Sequence, residues 1–540
     1  MIDLDYADIQ GNILAAYGKQ GFPKARAILL HVEKAEAGRN LIETLRRRVT
    51  SALPWPTPKR KPLPGKVMAR RPEVTLNLAF TFRGLLELGV PIRTLRGMPE
   101  EFLDGMAARA DVLGDNFPKR IEDCWDPVWV NATKSSERVH ILVSLNGDMD
   151  PATGECTSAM GAMCEEIVGM CAASGGVRIL EGHRGADPRW QDLSAIWKRG
   201  ADGRCKPIPT EHFGLADGIA DTVFDGQMAP EDLAERAVGQ GKLLPDQSWT
   251  PLAPGEFLLG WPDESQEIAG AAMPLDFSRN GTFMAWRKLH QNVFAWRRYM
   301  DVQAERFATV MGVPREHAAP TLAAKITGRW PDGTPLMAAP DFEAWQAFRD
   351  RRAAAERAGD GAQLGALKRA LVDFTFAKDQ AGAICPLGAH IRRANTRDML
   401  DPLLASGDAT KFNGSILNNR RRILRRGLPY GQTLETGDDS GEHGIVLMAH
   451  CASLFRQFEF VQQQWIQYGL DFNAGNDTCP IVGNHADAAK FVIPADPASD
   501  KPPFICADMP QFVETRGGEY FFIPSMTALR MIGQGLVDPT

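Results

Sequence analysis

The stretch VTLNLAFTFRGLLELG, residues 74–89, decides the fold class. From Val74 to Phe82, large apolar residues alternate with smaller or polar ones, which is typical of a β-strand with one buried face. The leucines of residues 85–88 then follow at helical spacing, and Gly89 ends the pattern. This part of the chain is therefore predicted to form a strand followed directly by a short helix.

The same order of strand and then helix recurs along the chain. Residues 27–32 and 139–145 have strand patterns, and each precedes a helical pattern. In the second half, residues 282–286 and 445–448 are strand candidates that precede apolar stripes at spacings of three and four. The stripes are Leu289, Val293, Trp296 and Met300, and Leu454, Phe458, Val461, Trp465 and Tyr468. The order predicts an α+β fold, with helices on one face of a mostly antiparallel sheet.

The length predicts more than one domain, because 540 residues are too many for one small core. The run LLPDQSWTPLAPG, residues 243–255, is the candidate boundary because prolines interrupt both kinds of periodicity there. We therefore expect an N-terminal domain of residues 1–245 and a C-terminal domain of residues 246–540.

The composition is typical of a folded soluble protein and argues against two function classes. Charged residues make up 24% of the chain and the net charge is −6, which does not suggest a nucleic-acid-binding surface. No apolar run approaches 18 residues, so we expect no membrane span. The nine cysteines form no CxxC pair, and the start MIDLDYADIQGNIL lacks the features of a signal peptide. A cytoplasmic protein with reduced thiols is therefore expected.

The stretch ICPLGAHIRRAN, residues 384–395, places His390 between a Pro/Gly turn and two arginines. Neutral imidazole is the usual proximal ligand of haem iron. Guanidinium groups such as those of Arg392 and Arg393 match the geometry of carboxylates, which haem carries as propionates. Two alternatives stay open, a structural or surface histidine and a solvated basic helix face.

Two further stretches could contribute to the same site. In HFGLADGIAD, residues 212–221, Asp217 lies between two glycines, which allow close approach of the backbone to a ligand. Such an aspartate can also simply form the turn. In NRRRILRRGLPYG, residues 419–431, a helical pattern stops at Gly427, where Arg425 or Arg426 could point into a pocket. A solvated basic face is the alternative.

Together these stretches resemble the dye-decolorizing peroxidases. DIQGNIL at residues 8–14, the GxxDG motif with Asp217, NGTFMAWRKL at 280–289, GAHIRRAN at 388–395 and RRGLPYG at 425–431 follow in the family's order. The resemblance implies an α+β fold of two ferredoxin-like domains, with antiparallel sheets and helices on one face, as in the dimeric α+β barrel superfamily. It also implies haem b, held mainly by the second domain.

On the iron side of the haem, the resemblance implies His390 as the proximal ligand. Arg392 would bind a haem propionate. An acidic residue would hydrogen-bond the His390 ring, and we expect it to be Asp477, with Glu459 as the alternative.

On the peroxide side, the resemblance implies Asp217 as the acid–base residue and Arg425 beside it. We expect burial to raise the pKa of Asp217. The implied function is a haem peroxidase that reduces hydrogen peroxide and oxidises aromatic donors such as dyes and phenols. Peroxide and aromatic donors would be its partners, without nucleic acid or membrane, and association into a homo-oligomer is left open.

Two other functions are compatible with the same stretches. The first is a haem or porphyrin carrier, or a porphyrin-processing protein, with incidental peroxidase activity. The second is an α+β scaffold without a cofactor. A distal acid–base couple of Asp217 and Arg425 argues against a carrier, which has no need of one.

Overall fold

Nine strands form one antiparallel sheet at the centre of the computed structural model, which describes residues 2–56, 68–116, 118–403, 411–432, 437–486 and 489–537. The strands are β1 (Lys24–Val32), β2 (Val74–Phe80), β3 (Ile141–Gly147), β4 (Val177–Ile179), β5 (Gln191–Ser194), β6 (Thr282–Gln291), β7 (Leu424–Tyr430), β8 (Gly444–Cys451) and β9 (Val513–Ile523). Three two-stranded ribbons lie outside this sheet, namely Trp197–Arg199 with Cys205–Pro207, Lys242–Leu243 with Trp249–Thr250, and Phe491–Ile493 with Phe504–Cys506.

The sheet consists of two halves with the same strand order. It runs β7-β8-β6-β9 and continues β2-β3-β1-β4, while β5 also pairs with β1. In each half the spatial order is second, third, first and fourth strand, which is that of a ferredoxin-like unit. The halves join where Phe522 of β9 pairs with Phe80 of β2. The expected α+β fold with two ferredoxin-like units is confirmed.

Helices cover the sheet. The main ones are α1 (Ala35–Arg46), α2 (Ser158–Ser174), α3 (Val293–Met311), α4 (Arg315–Thr327), α5 (Phe342–Ala358), α6 (Gly361–Ala370), α7 (His390–Ala394) and α8 (Met526–Gln534). Short helices are Gly11–Leu14, Phe82–Glu87, Ile92–Leu95, Glu100–Asp104, Ala110–Leu113, Ile121–Cys124, Pro127–Asn131, Pro230–Ala237 and Ile416–Asn419. Two π-helical segments, Leu454–Glu459 and Val461–Ile466, follow β8. In the first half α1 packs against α2 and α8, and in the second half α3 packs against α4.

Strand β2 differs from the expected half-buried strand, because all seven of its residues are buried. The polar side chain of Asn77 is satisfied by Gln10 Oε1 at 3.2 Å and by the carbonyl of Thr50 at 3.0 Å. The N-terminal segment therefore covers the second face of β2 and supplies hydrogen bonds to its buried polar groups. The sequence pattern of β2 alone does not reveal this cover.

Two predicted elements are wrong in their extent or type. The arginine-rich run before Gly427 is not a helix, because strand β7 begins at Leu424 and pairs with β8. The backbone hydrogen bonds to β8 override a helical pattern that came from side chains alone. Leu289 belongs to β6, and helix α3 begins only at Val293.

The candidate boundary around residues 243–255 contains part of the small ribbon Lys242–Leu243 with Trp249–Thr250. The division between residues 245 and 246 stays a prediction, since the central sheet is continuous across both halves. In the part of the chain that the structure describes, no helix combines the length and the apolar character that are needed to cross a membrane.

Candidate active site

A cavity of about 530 Å³ lies against one face of the second half of the sheet. Arg287, Leu289 and Gln291 of β6 line it, because alternate residues of a strand point to the same face. Ile445 and Leu447 of β8 line it in the same way. The volume lies within the range of small-molecule and cofactor sites.

The loop of residues 212–222 carries Asp217 to this cavity. The loop is held along β7, since His212 Nε2 lies 2.9 Å from the carbonyl of Tyr430 and Thr222 Oγ1 donates to the carbonyl of Ile423 at 3.0 Å. Gly218, directly after Asp217, has a φ of 71°, a left-handed conformation that favours glycine. The turn therefore places the Asp217 side chain beside strand β7.

Asp217 and Arg425 form an ion pair in the cavity. Arg425 Nη2 donates to Asp217 Oδ1 at 2.5 Å. Arg426, the next residue, points to the other side of β7, and its buried guanidinium pairs at 3.1 Å with Asp221, further along the same loop. The side chains of Asp217 and Arg425 keep 34% and 49% of their surface accessible, and both line the cavity.

The pKa of Asp217 is lowered, not raised as the sequence led us to expect. Burial by itself would raise it, but the charge of Arg425 and the hydrogen bond from its guanidinium outweigh burial. The Asp217 carboxylate in turn raises the pKa of Arg425. The pair is therefore a carboxylate and a guanidinium at neutral and moderately acidic pH.

His390, the first residue of α7, also lines the cavity. Its Nδ1 lies 3.2 Å from Cys479 Sγ. Among the residues that the structure describes, no group hydrogen-bonds to its Nε2. The imidazole is therefore anchored through one nitrogen and has the other free to bind a ligand.

The structure corrects the expectation for the partner of the His390 ring. The Asp477 carboxylate lies 3.8 Å from Lys490 Nζ, and the sulfur of Cys479 occupies the place beside the imidazole. The alternative, Glu459, is engaged elsewhere, in an ion pair with Arg109 at 2.7 Å and a hydrogen bond from Tyr520. Position along the chain predicts the right loop but the wrong side chain.

Arg392 is also placed differently from the expectation. Its guanidinium is buried, donates to Asp379 Oδ2 at 2.8 Å and to the carbonyl of Cys385 at 2.9 Å, and lies over the ring of Phe376. Arg393 is buried as well and donates to main-chain carbonyls, including that of Trp465. Both arginines hold the structure around α7 together, and neither lines the cavity.

Three arginines that the sequence analysis missed form a cationic region beside the cavity, in which Arg397 is buried and Arg329 and Arg422 are half-buried. Arg329 and Arg422 line the cavity, and each donates to main-chain carbonyls. Arg397, next to them, is 1% exposed, and its Nε and Nη2 have no hydrogen-bond partner among the described residues. Within the described ranges none of the three has a carboxylate partner, and burial lowers the pKa of Arg329 and of Arg422 to about 10. Arg422 belongs to the arginine-rich run of residues 419–431, whereas Arg329 and Arg397 carry no periodic or motif signal in the sequence.

Glu211 is a second carboxyl group that the sequence analysis missed. It lines the cavity and accepts hydrogen bonds from the amides of Phe213 and Leu215. Burial raises its pKa to about 7. Glu211 therefore shapes the turn that leads to Asp217.

No family model matches this chain, but several known proteins are similar to it along most of its length. Peroxidase 2 of Mycetinis scorodonius is 25% identical over 553 residues, which cover 98% of this chain and 88% of that relative. A dye-decolorizing peroxidase of Exidia glandulosa is 28% identical over 350 residues, which cover 61% of this chain and 57% of that relative.

A solved structure of a dye-decolorizing peroxidase in complex with 2,6-dimethoxyphenol has the same fold. The TM-score is 0.68 at 22% identity, and the alignment covers 98% of this chain and 100% of that one. The likeness in sequence and the likeness in fold both extend over nearly the whole chain. The chain is therefore similar, in sequence and in fold, to the dye-decolorizing peroxidases, a family of haem enzymes.

Proposed function

We propose that this chain is a haem-dependent peroxidase that reduces hydrogen peroxide and oxidises aromatic donors such as dyes and phenols. The observation that carries the proposal is the ion pair of Asp217 and Arg425 on the same cavity as the imidazole of His390. A carboxylate can move a proton, a fixed cation can stabilise developing negative charge, and an imidazole can bind haem iron. The named activities of the relatives point to the same reaction.

The side chains around the cavity fit haem b. His390 has a free Nε2, which is the atom that an iron ligand needs. Arg329 and Arg422 are cations without a carboxylate partner in the described part of the chain, and haem carries two propionates. We therefore assign Nε2 of His390 as the ligand of the haem iron. We assign Arg329, with Arg422 near it, to the edge of the haem that carries the propionates.

The protein groups have separate roles in this proposal. Haem, when bound, supplies the iron that binds peroxide and accepts its oxidising equivalents. The Asp217 carboxylate takes a proton from hydrogen peroxide and returns it to the departing oxygen, a role that contributes about 10²- to 10⁴-fold in rate. The Arg425 guanidinium stabilises the negative charge that grows on that oxygen. Because Arg425 also keeps Asp217 ionised, the base is available at acidic pH.

An absorption spectrum before and within milliseconds of adding one equivalent of hydrogen peroxide tests the proposed function. We expect haem-reconstituted protein to show a Soret band that changes within this time. Haem that binds but only bleaches, or that reacts over minutes, would instead indicate a carrier. Protein without a Soret band after haem is offered would indicate a scaffold without a cofactor.

The pH dependence of the reaction with peroxide tests the pairing of Asp217 with Arg425. The base must be deprotonated, so a lowered pKa extends activity to lower pH. In a plot of the reaction rate against pH, we expect the fall at acidic pH, the acid limb, to lie below about pH 3.9, the ordinary pKa of aspartate. In the residual activity of Arg425→Leu the limb should move to higher pH, because the charge that most strongly lowers the pKa of Asp217 is lost while burial remains.

Stopped-flow pH jumps measure both profiles before acid can unfold the protein. Arg421→Leu is the matched control, since Arg421 also lines the cavity but donates to the carbonyl of Arg456. An acid limb at the same pH in the wild type and in Arg425→Leu would contradict the pairing. A cytoplasmic location stays a prediction from the sequence.

A further inference from the structure

The sulfur of Cys479 is held rigidly beside the ring of His390. Cys479 is 0% exposed, and its Sγ lies 3.2 Å from His390 Nδ1. Its amide donates to the carbonyl of Ile466 at 2.7 Å, and its own carbonyl accepts from the amide of Gly483 at 3.0 Å. His485 Nε2 lies 2.9 Å from the same carbonyl. The backbone on both sides of the sulfur is thus fixed independently of His390.

No carboxylate of the described residues takes this place. Asp477, two positions earlier, has its carboxylate towards Lys490, while its carbonyl accepts a hydrogen bond from Arg393 at 2.9 Å. Glu459 is buried with Arg109 and Tyr520. The thiol is therefore the only side-chain partner of the His390 ring in the part of the chain that is described.

We propose that Cys479 is the positioning residue of His390, which rests on the proposed function of His390 as the iron ligand. A histidine that binds iron through Nε2 carries its proton on Nδ1, and that proton needs an acceptor. The sulfur accepts it, which selects the tautomer and fixes the orientation of the ring. The hydrogen bond also makes the imidazole a better electron donor to the iron.

Removal of the acceptor should change properties that packing alone does not determine. In Cys479→Ala the imidazole loses electron density, so the reduction potential of the haem should rise and the iron–histidine stretching frequency should fall. Haem affinity should fall about 10- to 100-fold, as is usual when an outer partner of a metal ligand is lost. Cys479→Asp supplies a new acceptor and should reverse all three changes.

The experiment compares wild type, Cys479→Ala, Cys479→Asp and the control Cys506→Ala as haem-loaded proteins. Cys506 is also 0% exposed and belongs to the same hydrophobic cluster, so its loss reports on packing alone. Spectroelectrochemistry gives the potential, resonance Raman gives the stretching frequency, and haem transfer to apomyoglobin gives the relative affinity. Equal values in wild type and Cys479→Ala would refute the positioning role.

Failure of this proposal can be distinguished from failure of the proposed function. Wild-type haem without histidine ligation in the Raman spectrum refutes the function of His390 itself. If Cys479→Ala does not fold, nitrogen-15 NMR of histidine in haem-free wild-type protein decides the question. A proton on Nδ1 of His390 supports the proposal, and a proton on Nε2 alone overturns it.

Discussion

Replacing Arg425 with leucine should lower the rate of the reaction with hydrogen peroxide by about 100- to 1,000-fold, the usual effect of removing one group that stabilises developing charge. Leucine also removes the guanidinium that lies 2.5 Å from the Asp217 carboxylate and keeps that carboxylate ionised. Haem should stay bound, because His390 and Arg329 are untouched. Stopped-flow absorbance at the Soret band measures the rate, and the amplitude of the same band measures the bound haem.

The control for this prediction is Arg421→Leu, which removes a different cation from the cavity wall and should keep the wild-type rate. A wild-type rate in Arg425→Leu would remove Arg425 from the reaction. Loss of the Soret band in Arg425→Leu would show instead that the variant fails at haem binding.

Replacing His390 with alanine should abolish histidine ligation of the haem and with it the peroxide-driven oxidation of aromatic donors. His390 is the only histidine that lines the cavity in the described part of the chain. We expect haem affinity to fall by more than about 100-fold, since loss of an outer partner alone costs 10- to 100-fold. Titration of haem into the variant, followed by absorbance and resonance Raman, measures both effects.

Added imidazole should restore ligation in His390→Ala, because it can enter the space that the side chain leaves. His317→Ala serves as the control, since His317 is a histidine of α4 that stacks on Phe342 and does not line the cavity. An unchanged haem spectrum in His390→Ala would remove His390 from the iron.

The sequence predicted the strand–helix order because alternation and helical spacing are local properties. It failed where distant segments decide the structure. The arginine-rich run before Gly427 has a helical spacing, yet β8, twenty residues later along the chain, converts it into β7. The second face of β2 is covered by a segment more than sixty positions away, which no local pattern can show.

The sequence indicated which segments of the chain reach the site better than it indicated which side chains make the contacts there. Asp217, Arg425 and His390 all line one cavity. They could be predicted from the sequence because each lies in a stretch that is marked by turn residues or by charge. Arg392 lies next to His390 in the chain, but the short helix α7 turns it to Asp379. Asp477 and Cys479 are two positions apart, and only the three-dimensional path of the loop decides which of them meets the imidazole.

The ion pair of Asp217 and Arg425 joins positions that are 208 residues apart in the chain. Asp217 lies on a loop that follows the first ferredoxin-like unit, whereas Arg425 lies on a strand of the second. A chain that is still being synthesised therefore has no active centre until nearly all of it has emerged and docked. Turnover in a refolding experiment therefore requires this long-range contact and cannot appear while only one of the two units has formed.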